Sequence, residues 1–271
     1  MEEKNCQKIQ MFLLLLRIDM KLGITFDLWL TLIGEIEGGS QSASRNLLRS
    51  ELTQKKLLEF KENISIEVIN NSFKEISSII TSRHNIGKDK KFHESVSDVL
   101  NLMSPGISER IGSKEVENIG LLIDSAFLKI PPYIYNDTRS VLNEIHLMGF
   151  EMGLISNTGL TSPDTYRKWF NNEGLSKYFS VMMFSNEIGI AKPKDKIFRE
   201  TLEIMKIDPN FIMHIGDNLL TDIFGASQLG INTTWLSGQD NRKPITKPNF
   251  TISNLNEFPE LVRNWRTTLI S

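Results

Sequence analysis

The sequence predicts an α/β fold in which helices cover both faces of a parallel sheet and an all-helical domain is inserted after the first strand. Three observations support this prediction. Gly23–Phe26 is a short apolar strand, residues from about 41 to 130 show helical spacing almost throughout, and strands alternate with helices beyond Pro131 and Pro132. Such alternation indicates parallel strands joined by crossover helices. We therefore predict a Rossmann-like core with an inserted helical cap domain.

The elements follow one another along the chain in a clear order. Apolar residues recur at helical spacing in the insertion, which indicates roughly four helices there. Beyond the insertion we expect helices at 137–148, 163–172, 194–206, 220–229 and 256–266, and strands at 150–156, 181–186, 211–216, 232–237 and 250–253. The predicted division is an N-terminal extension at 1–19, a core at 20–40 and 132–271, and a cap at 41–131.

Composition and charge limit the classes of partner. With 271 residues, of which 40% are apolar, the chain can bury a sizeable core. Its 31 basic and 33 acidic residues give a net charge of -2, which provides no basic surface for nucleic acid or anionic membranes. The single cysteine, Cys6, cannot form an internal disulfide. We expect a cytoplasmic protein that acts on a small molecule.

The N-terminal segment contains an apolar run, Met11–Leu16. This run is far shorter than the roughly 20 residues that span a bilayer, so it does not predict a membrane anchor. Charged residues follow it at once and no small-residue cleavage site appears, which argues against a secretory signal. We expect that the functional chain begins at Met20 and that residues 1–19 are dispensable.

Polar residues stand where four of the apolar stretches end. They are Asp27 and Thr31, then Ser156, Asn157 and Thr158, then Lys192, and finally Asp217 and Asp222. Each has a simpler explanation alone, as a turn residue, a helix cap or a solvated lysine. The carboxyl ends of parallel strands form the ligand crevice of such sheets. Together these residues provide a carboxylate nucleophile, donors for an oxyanion, a cation and acidic ligands for a divalent metal.

The order of these residues resembles the four motifs of the haloacid dehalogenase-like hydrolase superfamily. The matches are Asp27-Leu28-Trp29-Leu30-Thr31 to Asp-x-Asp-x-Thr, Ser156-Asn157 to the second motif, Lys192-Pro193 to the third, and Gly216-Asp217 with Asp222 to the fourth. The resemblance covers residues 21–35 and about 136–240, and its most specific part is the run from His214 to Ala226. The insertion looks like the helical cap that many members carry.

This resemblance implies a nucleophile and a metal site. Asp27 would attack phosphorus and form an aspartyl-phosphate, which water then hydrolyses. Mg²⁺ would be held by Asp27, Asp217 and the main-chain carbonyl of Trp29. Asp222 would either bind the metal itself or hold one of its ligands or waters in place. The substrate would be a small phosphorylated compound, and the sequence does not identify it or the oligomeric state.

The resemblance also implies how the phosphoryl group is held. Lys192 would neutralise both Asp27 and the phosphoryl group, and it is therefore counted with the catalytic residues. Thr31, Ser156 and Asn157 would bind the substrate, with the main-chain amides after Ser156 holding phosphate oxygens.

Trp29 departs from the family pattern, because phosphatases of the family have a second aspartate there that acts as general acid and base. The indole N–H is only a donor of very low acidity. General acid–base catalysis contributes about 10²–10⁴ in rate. We therefore expect slow hydrolysis of alkyl phosphates and better hydrolysis of aryl or acyl phosphates.

Three alternatives remain open. The family's dehalogenases have an aromatic residue at this position, in Asp-x-Tyr-Gly-Thr, and attack carbon without a metal. Trp29 fits that pattern, whereas Leu30, Asp217 and Asp222 do not. A phosphonatase-like enzyme would need a small residue at 29 and a reactive cap lysine. A binding module without activity would be expected to have lost more of the site.

Other polar and aromatic residues have simpler explanations. We expect packing roles for His84, His93, His146, His214, Trp169, Trp235 and Trp265. Three arginines of the insertion are candidates to meet an anionic substrate, although helix arginines usually face water: Arg45, Arg49 and Arg83. The glycine-rich segment from Ile33 to Ser40 is a predicted hinge between core and cap.

Overall fold

The computed structural model describes residues 21–35 and 40–270, and the predicted extension at 1–19 lies outside them. Eight strands occur there: β1 Gly23–Phe26, β2 Ile33–Gly34, β3 Tyr133–Ile134, β4 Glu151–Ser156, β5 Val181–Phe184, β6 Ile212–Gly216, β7 Asn232–Leu236 and β8 Phe250–Ile252. Six form one sheet in the order β5-β4-β1-β6-β7-β8. Every neighbouring pair in this sheet is parallel, which confirms the predicted α/β fold class.

Helices cover the sheet and form the insertion. Those of the insertion are α1 Ser40–Leu58, α2 Ile66–Asn85, α3 Phe92–Met103, α4 Ile107–Ile111 and α5 Ser113–Lys129. Those of the core are α6 Thr138–Leu147, α7 Pro163–Asn172, α8 Ser185–Ile188, α9 Asp195–Met205, α10 Gly225–Ser227 and α11 Phe258–Ile270. None of the helices in the described ranges has the length and apolar character needed to cross a bilayer.

Strand β1 lies in the middle of the sheet, and its position determines where the polar residues meet. Ile24 and Phe26 are completely buried, as expected for a strand covered on both faces. Phe26 pairs with Leu154 of β4 on one side and with Ile215 of β6 on the other. The three strands therefore end within two residues of one another, and the residues at and after their ends share one edge of the sheet.

The insertion has a hydrophobic cluster of its own. Residues of α1 to α5 bury their apolar faces against one another, with Ile69, Ile76, Val99 and Ile119 completely inaccessible to solvent. Leu160, from the loop after β4, packs into the same cluster. The sheet is covered by two other clusters. The insertion is therefore a packed helical unit that touches the core, as the predicted fold class requires, whereas its boundaries at 41 and 131 stay a prediction.

The two connections to the insertion pair with each other. β2 and β3 form a short antiparallel sheet, which the sequence analysis missed. Gly34 leaves room for Tyr135, because a Cβ atom at Gly34 would lie 2.1 Å from the tyrosine hydroxyl oxygen. Part of the predicted hinge is therefore a strand, while Gly38 and Gly39 lie outside the described residues.

Several predicted boundaries were wrong by a few residues. The strand predicted at 181–186 ends at Phe184, since Ser185 begins a helical turn. The helix predicted at 220–229 is a π-helical turn at Leu219–Phe224 followed by the short α10. The insertion contains the short α4 besides four longer helices, and α11 continues to Ile270 rather than ending near 266.

The loop between α2 and α3 makes a second contact between the insertion and the core. Asp89 N donates to Gly189 O at 3.2 Å, and Ala191 N donates to Gly87 O at 3.2 Å. The Asp89 carboxylate, whose side chain is only 1% exposed, accepts a hydrogen bond from Ser185 Oγ at 2.6 Å. This loop therefore contacts the core immediately before Lys192.

We predict that Asp89→Ala destabilises the protein, because it leaves the buried Ser185 hydroxyl without its acceptor. The expected loss is about 1–3 kcal/mol in the free energy of unfolding. Urea denaturation would measure it beside Glu117→Ala, which removes an exposed carboxylate from the same insertion. Equal effects of the two substitutions would contradict the prediction.

Candidate active site

The side chain of Lys192 connects the polar residues at the edge of the sheet. Its Nζ donates to Asp27 Oδ1 at 2.5 Å, to Asp222 Oδ1 at 2.6 Å and to the main-chain oxygen of Ile155 at 2.8 Å. An ammonium group has three hydrogens, so these contacts use all of them. Lys192 is only 1% exposed, and burying such a charge is costly without these partners. The predicted nucleophile, the predicted cation and one acid of the fourth motif are thus in direct contact.

Asp27 follows β1 directly and is held at both carboxylate oxygens. Lys192 contacts Oδ1, and the Thr31 hydroxyl donates to Oδ2 at 3.1 Å. Burial raises the pKa of Asp27 to about 6, although the Lys192 charge opposes this shift. Leu30 has a positive φ of 62° between these two residues, a conformation that favours glycine. The tight turn at Leu30 brings Thr31 back to the carboxylate.

Asp222 accepts hydrogen bonds at both of its oxygens. Oδ1 accepts from Lys192 and lies 3.4 Å from His214 Nε2, while Oδ2 accepts from Asn218 N at 3.0 Å. Burial is the largest influence and raises the pKa of Asp222, but the charge of Lys192 and the hydrogen bonds from Lys192 and His214 together outweigh it and lower the pKa to about 2. The His214 ring is anchored by Thr25 Oγ1 at 2.9 Å from Nδ1. This contact with Lys192 was not among the roles predicted for Asp222, and those roles, as a metal ligand or as a support for one, stay predictions.

Asn157 and Ser156 follow β4 and have different environments. The Asn157 side chain donates to Lys192 O at 2.9 Å and accepts from Lys192 N at 2.8 Å, so it holds the lysine's own main chain in place. Ser156 is buried, and its hydroxyl makes only a long contact of 3.4 Å to Asn157 O. Ser156 can therefore turn its hydroxyl to another acceptor, whereas the Asn157 amide is already engaged.

Asp217 completes a group of three carboxylates after β6. Asp27, Asp217 and Asp222 each place one oxygen within 4.8 Å of the others. Burial raises the pKa of Asp217 to about 8, and the charges of Asp27 and Asp222 add to the shift. If all three carboxylates are ionised, Lys192 compensates one of three negative charges, and the raised pKa values of Asp217 and Asp27 reflect burial and this repulsion. His214 adds none, because burial lowers its pKa and keeps it neutral.

This excess of buried negative charge fits a divalent cation. Oxygen ligands from carboxylates are those that Mg²⁺ prefers in proteins. Asp27, Asp217 and Asp222 are the candidate carboxylates, and the hydrogen bonds to both oxygens of Asp27 and of Asp222 leave further lone pairs that could bind a metal. The main-chain carbonyl of Trp29 as a third ligand stays a prediction.

The Trp29 side chain extends from the site toward the insertion. Its Nε1 donates to Tyr166 Oη at 3.0 Å, and Tyr166 is almost completely buried. The indole is therefore packed and hydrogen-bonded at the position where a second aspartate was expected from the motif. A carboxylate is absent from this position, so Trp29 offers no group for proton transfer.

Two residues assigned to packing also touch the site. His214 contacts Asp222, and the Trp235 indole donates to Asp217 O at 2.9 Å. The alternation of β6 could have indicated His214, because residues two apart on a strand face the same side. His84 pairs with Asp89 at 2.9 Å, and His93 is exposed.

Comparison with known proteins supports the resemblance. The family model described as haloacid dehalogenase-like hydrolase matches residues 24–236. The phosphoserine phosphatase of Thermus thermophilus is 30% identical over 125 residues, 46% of this chain and 49% of that protein. The glyceraldehyde 3-phosphate phosphatase of Methanocaldococcus jannaschii is 27% identical over 246 residues, 89% of this chain and 97% of that protein. The chain thus spans about half the length of the first of these relatives.

Solved structures share the fold at low sequence identity. The 2-haloacid dehalogenase of Pseudomonas syringae has a TM-score of 0.64 at 20% identity, over 91% of this chain and 100% of that one. A HAD phosphatase of Thermococcus onnurineus has a TM-score of 0.57 at 20% identity, over 90% and 98%. Because both identities are low, these likenesses show the fold alone.

We predict that Gly216→Ala disrupts the site. A Cβ atom at this position would lie 2.3 Å from Asp222 Cγ, so Asp222 must shift away from Lys192. Overpacking of this kind costs about 1–3 kcal/mol in the free energy of unfolding. Urea denaturation would compare it with Gly159→Ala, where a Cβ atom meets nothing within 4 Å. A Gly216→Ala protein as stable as this control would contradict the placement of Asp222.

We also predict that the protein without divalent cations loses stability between pH 5 and pH 8. The folded state raises the pKa of Asp217 from 3.8 to about 8 and that of Asp27 to about 6, so it binds more protons than the unfolded chain in this range. Stability then falls as pH rises. Two groups with lowered pKa values act oppositely: Asp222 only near and below its unfolded pKa of 3.8, and His214 near and below its unfolded pKa of 6.5. The two raised carboxyl groups outnumber His214 in the window from pH 5 to pH 8.

Thermal melts in chelator and in Mg²⁺ would test this prediction. The melting temperature should fall with pH in chelator, fall less in Asp217→Asn, and be restored by Mg²⁺ most strongly at pH 8. A melting temperature in chelator that does not change between pH 5 and pH 8 would contradict it.

Proposed function

The chain belongs to the haloacid dehalogenase-like hydrolase family, and from this membership we propose that it is a magnesium-dependent phosphatase. It acts on a small phosphorylated compound through an aspartyl-phosphate on Asp27. The observation that carries the proposal is the ammonium of Lys192, bound to Asp27 beside two further carboxylates. Relatives named as phosphatases support the reaction class.

The first step is attack by Asp27 on phosphorus. Its two oxygens are oriented by Lys192 and Thr31, so little rotation of the carboxylate is needed. A bond forms between an Asp27 oxygen and phosphorus while the bond from phosphorus to the leaving oxygen breaks. Asp27 and Asp217 would hold Mg²⁺, which when bound would supply positive charge to offset the repulsion between carboxylate and phosphoryl group.

The phosphoryl oxygens are held by donors at the ends of β1 and β4. The Ser156 hydroxyl has no strong partner in the described chain and can donate to a phosphoryl oxygen. Lys192 stabilises the negative charge of Asp27, and the Asn157 side chain holds the main chain of Lys192 in place. Asp222 accepts a hydrogen bond from Lys192, and His214 in turn contacts Asp222. Asp222 and His214 are positioning residues rather than catalytic ones.

The leaving oxygen receives no proton from Trp29, and this limits the substrates. An alkoxide is a poor leaving group without a general acid, whereas a phenolate or carboxylate departs as a stable anion. The second step, attack of water on the aspartyl-phosphate, also lacks a base at position 29. We therefore propose aryl or acyl phosphates as the substrates that this site hydrolyses best.

The helical insertion is proposed to act as a cap over this site. Its α1 begins soon after the first motif, and Leu160 from the loop after β4 packs into its cluster. The insertion thereby lies against the loop that follows the phosphate-binding Ser156.

A dehalogenase acting on 2-haloacids is the second candidate, favoured by the aromatic side chain of Trp29. Attack by Asp27 on carbon expels halide, which needs no general acid. The buried carboxylates of Asp217 and Asp222 weigh against it, because a site without a metal would leave their charge uncompensated. Halide release from 2-haloacids in chelator would favour this candidate over the phosphatase.

We predict that the purified protein hydrolyses phenyl phosphate in Mg²⁺ and cleaves alkyl phosphates about 10²–10⁴ more slowly, the rate that general acid catalysis usually contributes. Asp27→Asn should abolish activity because it removes the nucleophile. Trp29→Asp should increase alkyl phosphate hydrolysis because it supplies the missing acid. Phosphate release would be measured with Mg²⁺ and with chelator.

Trp265→Phe is a suitable control for Trp29→Asp, since it changes a buried tryptophan that packs on Phe150 away from the site. It should leave the ratio of aryl to alkyl hydrolysis unchanged. If neither wild type nor Trp29→Asp cleaves any phosphate ester, the phosphatase proposal is wrong.

A further inference from the structure

A polar cavity of about 170 Å³ lies between the insertion and the core. Arg45 and Arg49 of α1 form one wall, and Gly159–Thr161 form another. Trp29 and Tyr166 also line it. Trp29 comes two residues after Asp27, the proposed nucleophile. Gly159 comes three residues after Ser156, the proposed hydrogen-bond donor to the phosphoryl group. The cavity is therefore lined by the two loops that carry these residues.

The two arginines of the cavity differ in how their charge is compensated. Arg45 forms an ion pair with Glu35 at 2.9 Å and donates to Ile130 O at 2.7 Å. Arg49 donates through Nη2 to Leu160 O and Thr161 Oγ1, both at 2.9 Å, and these are neutral acceptors. Within residues 21–35 and 40–270 Arg49 forms no ion pair, and the carboxylates of Asp124 and Glu35 attract its charge only from a longer distance.

The Nε of Arg49 is the clearest sign of a missing partner. It is buried and has no hydrogen-bond acceptor in the described chain. A buried donor without an acceptor costs about 1–3 kcal/mol, and more for a charged group. Burial, together with the charge of Arg45, lowers the pKa of Arg49 to about 10, so it stays cationic at neutral pH. An anion in the cavity would satisfy both the charge and the free N–H.

Tyr166 offers a second donor to the same space. Its oxygen accepts the Trp29 indole hydrogen at 3.0 Å, and its own hydrogen is donated to no residue that the structure describes. Burial raises the pKa of Tyr166 to about 12, which keeps it protonated. Two donors suit the two oxygens of a carboxylate, and a volume of about 170 Å³ suits a small organic group.

We propose that this cavity binds a carboxylate carried by the leaving portion of the substrate, with Arg49 and Tyr166 as its donors. The inference rests on the proposed phosphatase function and narrows it to phosphorylated carboxylic acids. The phosphoryl group lies at Asp27, and the carboxylate lies beyond Trp29. Trp29 then separates the reacting end of the substrate from the end that is recognised.

Matched aryl phosphates would test the inference. Phosphate release from 3- and 4-carboxyphenyl phosphate would be compared with release from the 3- and 4-carbamoylphenyl esters, which are similar in shape but neutral. For at least one isomer, wild type should prefer the carboxylate by about 10- to 100-fold in kcat/KM, the ratio expected for one charge-assisted hydrogen bond. A wild type that cleaves carboxylate and amide equally in both isomers would overturn the inference and leave the phosphatase proposal intact.

Variants assign the preference to the cavity. Arg49→Gln should lose the preference while still cleaving the neutral esters, and Tyr166→Phe should lose part of it. Arg83→Gln is the matched control, because Arg83 lies in the same insertion and pairs with Asp98 at 2.8 Å away from the cavity. Tyr166→Phe keeps the test decisive if Arg49→Gln does not fold. A preference unchanged in Arg49→Gln and Tyr166→Phe would overturn the assignment.

A binding measurement separates this inference from the proposed function. The hydroxybenzoates should raise the melting temperature of wild type more than the hydroxybenzamides, and this difference should vanish in Arg49→Gln. If no ester is cleaved but this selective stabilisation occurs, the phosphatase proposal fails and the carboxylate site stands. If the hydroxybenzoates and hydroxybenzamides stabilise equally, the carboxylate site is wrong.

Discussion

The contact between the Lys192 ammonium and two buried carboxylates is the interaction on which the rest of the site depends. An ammonium that is 1% exposed requires partners for all three hydrogens, and Asp27, Asp222 and the oxygen of Ile155 supply them. Removing any partner would leave a buried charge poorly compensated, which is strongly destabilising. The fold meets this requirement because β1 pairs with β4 on one side and with β6 on the other, and the three strands end within two residues of one another. The geometry of the proposed nucleophile therefore follows from the need to satisfy one buried cation.

Trp29 gives the site its particular character. The same turn that places Asp27 and Thr31 together places an indole where proton transfer would otherwise occur, and Tyr166 holds that indole through a hydrogen bond. The Trp29 indole offers no acidic proton next to the Asp27 carboxylate, which suits leaving groups that depart as stable anions. Arg49 lines the cavity beyond Trp29, and its Nε is buried and has no hydrogen-bond acceptor in the described chain. In this account Asp27 attacks the phosphoryl group, while the carboxylate of the substrate is bound in the cavity beyond Trp29.

The sequence predicted the fold class and the gathering of Asp27, Lys192 and Asp222 at one edge of the sheet, because both depend on local patterns, whereas the roles of these residues stay predictions. Alternating strands and helices indicate a parallel sheet, and strand ends indicate where polar side chains gather. Contacts between residues far apart in the chain were not predictable in the same way. Nothing near Asn157 in the sequence shows that its amide holds Lys192 from 35 residues away. The docking of Asp89 on Ser185 depends on how two packed units meet, which no single segment encodes.

The central claim, that Asp27 attacks phosphorus, is tested most directly by trapping the covalent intermediate. Acid quench of the protein with an aryl phosphate, followed by reduction with tritiated borohydride and peptide sequencing, locates the phosphorylated carboxylate, because the reduction releases phosphate and converts that aspartate to tritium-labelled homoserine. Because Trp29 offers no base for the second step, the intermediate should persist long enough to be trapped. The account predicts label on Asp27 in wild type and none in Asp27→Asn. Turnover of the ester with no labelled carboxylate, or with label on another residue, would contradict it.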